Sequence, residues 1–132
     1  AVVNYLDTCS KSIVYMGSLS KSELHKQLPQ YHMALAPLKT RIYGSVPSKL
    51  FELPHFGLPV LYLGSGEGRN VVSQYTLGWS VNSSDWNRLN ALLVDLDADR
   101  SKWPLPGALK KTATREFNPD DQLSLLTAYL RQ

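Results

Sequence analysis

Residues 44–64 read GSVPSKLFELPHFGLPVLYLG and combine a helix start, a helix stop and an apolar strand. Pro47 suits the first turn of a helix, because the amide hydrogen that it lacks would have no partner there. Pro54 disturbs the last turn of this helix, and Gly57 ends it. The run LPVLYLG at 58–64 is continuously apolar, which is typical of a parallel strand that is buried on both faces.

The segments on either side of this unit alternate between short apolar runs and amphipathic stretches. Ser20 and Glu23 have the spacing of a capping box and predict a helix start, and Pro29 ends that helix. We predict strands over 12–16, 32–37, 58–64 and 79–81, and helices over 20–28, 47–56, 69–76, 85–99, 107–116 and 119–131. This order predicts an α/β, Rossmann-like parallel sheet with helices on both faces and a helical C-terminal segment.

Length and composition limit the class of protein. With 132 residues, the chain is long enough for one domain with a hydrophobic core and too short for two. The single cysteine excludes an intrachain disulfide. A net charge of +3 suits phosphate groups or an anionic surface, and we expect no nucleic-acid partner. The chain opens without Met, and we expect it to be a piece of a longer protein.

In a parallel sheet, ligands bind where the carboxyl ends of the strands meet the following loops. The predicted order brings four segments to that edge: Gly17–Ser20, Lys39–Lys49, Gly64–Arg69 and Asn82–Asp85. These segments hold basic and glycine residues that predict an anion site with a diphosphate as its natural occupant: Lys39, Arg41, Lys49, Arg69, Gly44, Gly64, Gly66 and Gly68. The alternative is that the glycines serve turns and the lysines are solvated.

Glu52 is the candidate acid of this edge. A carboxylate on the helix before the central strand can accept hydrogen bonds from two vicinal hydroxyls, as acidic residues do with ribose in dinucleotide folds. The alternative is an ordinary glutamate on a helix surface. His25, His32 and His55 lack metal-ligand spacing, so we expect no metal and no cofactor.

Five segments, taken in order, resemble the C-terminal half of a GT-B glycosyltransferase: IVYMGSLSKSELHKQL, YHMALAPL, VPSKLFELPHFGLPVL, GEGRNVV and LGWSVNSSDWNRLNALL. The group that the chain resembles is glycosyltransferase family 4, the retaining group 1 enzymes. The resemblance runs from about Ser12 to the C-terminus. Its most specific part is PSKLFELPHFGLPV, which resembles members that act on bacterial polysaccharide and lipopolysaccharide precursors.

The resemblance implies two Rossmann-like domains with a cleft between them. Residues 1–132 would form the single nucleotide-sugar-binding domain, with C-terminal helices over 84–132, and the N-terminal acceptor domain would lie outside this chain. The full-length enzyme would transfer a hexosyl group from a UDP- or GDP-linked sugar to a glycan or lipid-linked acceptor, with retention. It would work in the cytoplasm, at the inner face of the membrane where the lipid-linked acceptor lies. The isolated piece would be inactive.

The resemblance also assigns site residues by position. Glu52 matches the acid that holds the ribose hydroxyls, and Ser48 and Lys49 lie near the phosphates. The turn against the nucleobase falls on three residues: Gly17, Ser18 and Leu19. Gly44 stands where the family has the acid that contacts the donor sugar. Lys39, Arg41 or Tyr43 of the long loop before the predicted helix over 47–56 would substitute for that acid. The full set predicted to contact the donor sugar and phosphates is Lys39, Arg41, Tyr43, Gly44, Gly66, Gly68 and Arg69.

Two other functions remain as alternatives. Because Gly44 replaces an acid of the family motif, the chain could be a non-catalytic nucleotide-binding or scaffold module of the same fold. An unrelated response-regulator-like domain is disfavoured, because the acid cluster expected at the ends of the first strands is missing. Catalytic residues, donor base, sugar and acceptor are not determined by the sequence.

Overall fold

The computed structural model describes residues 13–39 and 44–130, which form a three-stranded parallel sheet with helices. The strands are β1 (Ala34–Pro37), β2 (Val60–Leu63) and β3 (Gly78–Val81), in the order β1-β2-β3. Both strand pairs are parallel, with Ala34 opposite Val60 and Val60 opposite Gly78. The prediction of an α/β architecture with a parallel sheet is therefore confirmed.

Helices connect the strands and complete the chain. The α-helices are α1 (Lys21–Gln27), α2 (Lys49–Glu52), α3 (Glu67–Gln74), α4 (Trp86–Ala98), α5 (Pro106–Glu116) and α6 (Pro119–Leu130). Short 3₁₀ helices cover Leu28–Gln30, Leu53–Phe56 and Arg100–Lys102. Within the described ranges, no helix is both long and apolar enough to cross a membrane.

Within residues 44–64, the chain forms a helix, a helix end and a buried strand, as predicted. Pro54 falls in the 3₁₀ helix that continues α2, since proline cannot supply the amide hydrogen that an α-helix needs. Gly57 then ends the helix in the left-handed conformation, with φ of 72°. A side chain at Gly57 would lie 2.9 Å from Cβ of Pro106, so α5 packs directly against this helix stop.

The predicted strand over 12–16 is wrong for the residues that the structure describes. Residues 13–19 have no regular structure, and the side chains from Ile13 to Met16 are exposed by 47–73%. β-branched and aromatic composition favours a strand only where a neighbouring strand supplies hydrogen bonds, and none pairs with these residues. The capping box that follows is confirmed, because Ser20 and Glu23 exchange side-chain and backbone hydrogen bonds of 2.8 and 3.2 Å.

The core lies on both faces of β2, whose four residues are all buried. On one face, Val60 and Tyr62 pack with Leu50 of α2 and Val72 of α3. On the other face, three buried side chains are packed against Leu89 and Leu92 of α4: Leu61, Leu63 and Val81. A third cluster joins Leu77 to α5 through Leu109, Ala113 and Phe117.

The helix α4 buries only part of its large apolar side chains. Leu96 is buried, but Trp86 and Leu93 are exposed by 64% and 40%. Beyond α4, the indole nitrogen of Trp103 donates to the Leu96 carbonyl oxygen at 2.8 Å. The Trp103 ring also meets Trp79 of β3 edge-on, with 5.4 Å between ring centroids. These contacts attach the C-terminal helical segment to the sheet.

Candidate functional site

Two cavities lie beside the carboxyl end of β1. The first, the α1–α2 cavity, has a volume of about 370 Å³ and lies between α1, β1 and α2. The second, the strand-end cleft, has a volume of about 220 Å³ and lies where the three strands end. Pro37 lines the first cavity, whereas Leu38 and Lys39 line the second. The single site predicted at the carboxyl edge of the sheet is therefore divided between two cavities.

The α1–α2 cavity is apolar except at one wall. Lys49 and Glu52, which are one helical turn apart on α2, form that wall and are both exposed. The imidazole of His25 lies against the Phe56 ring, with 4.9 Å between centroids. The rest of the lining is aliphatic and comes from α1, β1 and residues that flank α1 and α2: Leu24, Leu28, Ala34, Leu35, Ala36, Pro37, Pro47 and Leu53. An apolar cavity with a few polar groups on one side is the usual form of a small-molecule site.

Within the described residues, the side chains of Lys49 and Glu52 form no polar contact that stabilises the fold. Among the described residues, no ion pair within 4.0 Å and no side-chain hydrogen bond involves Lys49 or Glu52. Ser48 precedes α2 as its N-cap without a side-chain hydrogen bond, and it is exposed outside the cavity lining. Lys49 and Glu52 can therefore both bind a ligand without breaking a contact of the fold.

The predicted nucleobase turn lies outside both cavities. Gly17 has φ of 71°, and the turn leads into the N-cap of α1 at Ser20. Gly17 and Ser18 are exposed and Leu19 is half-buried, and none of the three lines the α1–α2 cavity or the strand-end cleft. The structure thus places α1 itself, but not this turn, beside Glu52.

The strand-end cleft joins three of the four predicted segments. Lys39 follows β1, Gly64 and Ser65 follow β2, and a turn after β3 contributes Asn82, Ser83 and Ser84. Lys39 therefore lies in a different cavity from Glu52. Asn82, Ser83 and Ser84 were not named as site residues from the sequence, although their segment was placed at this edge.

Arg69 of α3 contacts one residue of the cleft lining, Asn82. Its Nη2 donates to Oδ1 of Asn82 at 2.6 Å, across thirteen positions of sequence. Its buried Nε has no hydrogen-bond partner among the described residues. The sequence could not reveal this contact, because an asparagine after a short strand has no signature of its own, and its partner Arg69 lies thirteen positions away on α3.

Two of the predicted phosphate-site glycines have a packing role. Gly64 and Gly68 both face the buried ring of Tyr62, and a Cβ at either position would lie within 2.7 Å of ring atoms. Gly66 caps α3 with φ of 77°, and Gly44 is exposed with φ of 72° and open space around it. Contact of these glycines with a ligand stays a prediction. Arg41 and Tyr43 lie outside the described residues.

No metal centre or known family identifies the site. Over 13–39 and 44–130, no three His, Cys, Asp or Glu residues lie close enough together to hold a metal ion. No protein-family model matches the chain, and it has no significant match to a curated protein or to a solved structure. The function must therefore be inferred from the site itself and from the sequence pattern.

Proposed function

We propose that the chain is the donor-binding half of a retaining glycosyltransferase that takes a sugar from a UDP- or GDP-linked donor. The acceptor would be a glycan or lipid-linked precursor of bacterial polysaccharide or lipopolysaccharide, met at the cytoplasmic face of the membrane. The observation that carries the proposal is the Glu52 carboxylate, which has no ion-pair partner within residues 13–39 and 44–130 and lies with Lys49 on the polar wall of an apolar cavity.

Each part of a nucleotide has a matching part of this cavity. The aliphatic and aromatic lining suits the flat apolar faces of a base, and the His25 and Phe56 rings provide aromatic surface. The Glu52 carboxylate can accept from both ribose hydroxyls, because an ionised carboxylate has two acceptor oxygens. The Lys49 ammonium, one turn earlier, can donate to a phosphate oxygen.

The chemistry assigned to this half is stabilisation of a leaving diphosphate and orientation of the sugar. Both act by position and charge, and neither requires a side-chain nucleophile or a bound metal in this half. The acceptor would be presented by a second domain. The 132-residue chain alone is therefore expected to bind nucleotide and to transfer no sugar.

Titration with UDP and GDP, followed by calorimetry, tests the proposal. Glu52→Gln keeps the shape and one acceptor oxygen but removes the charge, and we expect the affinity to fall about tenfold or more, the scale of a hydrogen bond to a charged group. Glu116→Gln on α5, far from the cavity lining, is the matched control and should bind as the wild type does.

Ligand deletion gives a second test of the ribose assignment. Dideoxy-UDP, which lacks both ribose hydroxyls, should bind the wild type more weakly than UDP and should bind Glu52→Gln about as weakly. Equal affinity of the wild type for UDP and dideoxy-UDP would refute the assignment.

The alternative is a nucleotide-binding module without transferase activity. It is favoured by Gly44, which is exposed and carries no side chain at the position of the family's first acid. Both functions require nucleotide binding at Glu52, so the titration does not separate them. Sugar transfer by the full-length protein does, because a scaffold would bind the donor and leave it intact.

A further inference from the structure

We propose that the strand-end cleft is an oxyanion-binding subsite that takes a phosphate group, separate from the α1–α2 cavity. The cleft of about 220 Å³ has space for roughly seven waters at about 30 Å³ each, which is enough for a phosphate group with part of an attached ring. It is smaller than the roughly 300–1,000 Å³ of sites that enclose whole ligands, so we expect it to hold one group of a larger molecule.

The lining of the cleft consists almost entirely of donors. Lys39 supplies an ammonium, and Ser65, Ser83 and Ser84 supply hydroxyls. The turn after β3 is closed by the Asp85 amide, which donates to the Asn82 carbonyl oxygen at 3.0 Å. Within the described residues, the amides of Ser83 and Ser84 have no backbone acceptor, so the fold leaves both free to donate to a ligand.

Arg69 fixes the direction in which Asn82 presents its amide. A guanidinium only donates, so its 2.6 Å contact must be to the amide oxygen, and the NH₂ group of Asn82 remains available as a donor. An asparagine that is not fixed in this way could turn either its oxygen or its nitrogen to a ligand. This arrangement therefore selects an acceptor-rich ligand.

Among the described residues, the cleft is lined by one charged side chain, that of Lys39. No acid lines it, and the nearest acids along the chain, Glu67 and Asp85, lie outside the lining. Among the described residues, Arg69 has no carboxylate within 4.0 Å, so its charge is not neutralised by an ion pair. Asp85 accepts from the Arg88 amide at 2.9 Å as the N-cap of α4. An anion in the cleft would balance the charge of Lys39, which a neutral sugar cannot do.

The proposal does not depend on nucleotide binding, and inorganic phosphate is the first probe. With the ¹⁵N-labelled chain at fixed pH, phosphate should shift the amides of Lys39, Ser65, Ser83 and Ser84 and leave those of the core strand β2 in place. Glucose should not shift them, and glucose 6-phosphate should. No shift with phosphate, or equal shifts with glucose and phosphate, would overturn the proposal.

Two variants and a control locate the site. Asn82→Asp keeps an acceptor for Arg69 but replaces the NH₂ donor by a carboxylate oxygen, so we expect phosphate affinity to fall at least about tenfold with the fold retained. Lys39→Met should weaken binding severalfold, whereas Lys111→Met, an exposed lysine on α5, should not. Unchanged phosphate shifts in Asn82→Asp would refute the assignment.

A last titration identifies the source of the phosphate. If phosphate and UDP compete for the Ser83 and Ser84 amides, the group that binds is the diphosphate of the nucleotide. If their shifts add, it belongs to a second, phosphorylated ligand. Either result supports an oxyanion subsite, and loss of UDP binding in Glu52→Gln is measured separately at the α1–α2 cavity.

Discussion

Replacement of Gly68 by alanine tests how closely α3 approaches the central strand. A Cβ at Gly68 would lie 2.6 Å from Cζ and 2.7 Å from Oη of Tyr62, about 0.8 Å short of ordinary contact at 3.4 Å. Tyr62 has no exposed surface, so its ring cannot turn into solvent to make space. The new methyl group must therefore displace α3 from β2 or force the ring off its preferred position.

The expected size follows from two opposing effects. Alanine stabilises a helix by about 1 kcal/mol relative to glycine. Overpacking of a closely packed core costs about 1–3 kcal/mol, and the short distances place this case toward the upper end. We expect a net loss of about 1–2 kcal/mol, or a fall in Tm of about 4–8 °C for a domain of this size.

Gly107→Ala is a matched control within the same chain. Gly107 is the second residue of α5, as Gly68 is the second residue of α3, but a Cβ at Gly107 has nothing within 4 Å. Urea and thermal unfolding followed by circular dichroism should show Gly107→Ala as stable as the wild type or slightly more stable. Gly68→Ala should be clearly less stable than both.

A double-mutant cycle with Tyr62 then isolates the contact. In a Tyr62→Leu background the ring is gone, and Gly68→Ala should lose most of its cost, giving a coupling of at least about 0.5 kcal/mol. In Tyr62→Phe the atom at the Cζ position remains, so the cost should be largely retained. If Gly68→Ala and Gly107→Ala change stability equally, the close approach of α3 to Tyr62 is refuted.

Two further predictions concern the start of α1 and the end of the sheet. Hydrogen bonds from Ser20 lower the pKa of Glu23 below its ordinary 4.5, so their stabilisation is present above that pH and is lost as pH falls through the lowered pKa. Ser20→Ala should raise the Glu23 pKa measured by carboxyl NMR, and an unchanged value would contradict the capping box. In Gly78→Ala, the new Cβ would lie against the Val60 carbonyl oxygen, and the backbone at position 78 has a φ of 150°. We therefore expect the free energy of unfolding to fall by more than about 4 kcal/mol. A variant that melts at the wild-type Tm would disprove this.

Local chemistry accounts for the parts of the fold that the sequence predicts well. The Ser20 capping box, the disturbed last helical turn at Pro54 and the helix end at Gly57 each depend on a few neighbouring residues, and each was predicted and observed. The buried strand β2 was predicted because seven consecutive apolar positions leave no face for solvent. Such signals are complete within one short stretch of chain.

The errors and omissions depend on partners far away in sequence. The composition of 13–16 favours a strand, but the described structure supplies no neighbouring strand to pair with it. The glycines after β2 were predicted to allow close approach of a ligand, whereas in the structure Gly64 and Gly68 lie close to the Tyr62 ring. The amide direction of Asn82 is set by Arg69 of the preceding helix α3. Each of these features needs a second residue whose position only the fold determines.

The contact between Trp79 and Trp103 gives the chain a spectroscopic probe of its own. Of its three tryptophans, Trp86 is 64% exposed, while the other two indoles meet edge-on at an angle of 75°. Acrylamide should therefore quench one emission component readily and the other slowly. Trp86→Phe would leave only the slowly quenched pair, whose near-ultraviolet dichroism requires β3 and the segment after α4 to stay together. Loss of this dichroism signal would then report detachment of the C-terminal helices from the sheet, separately from unfolding of the sheet itself.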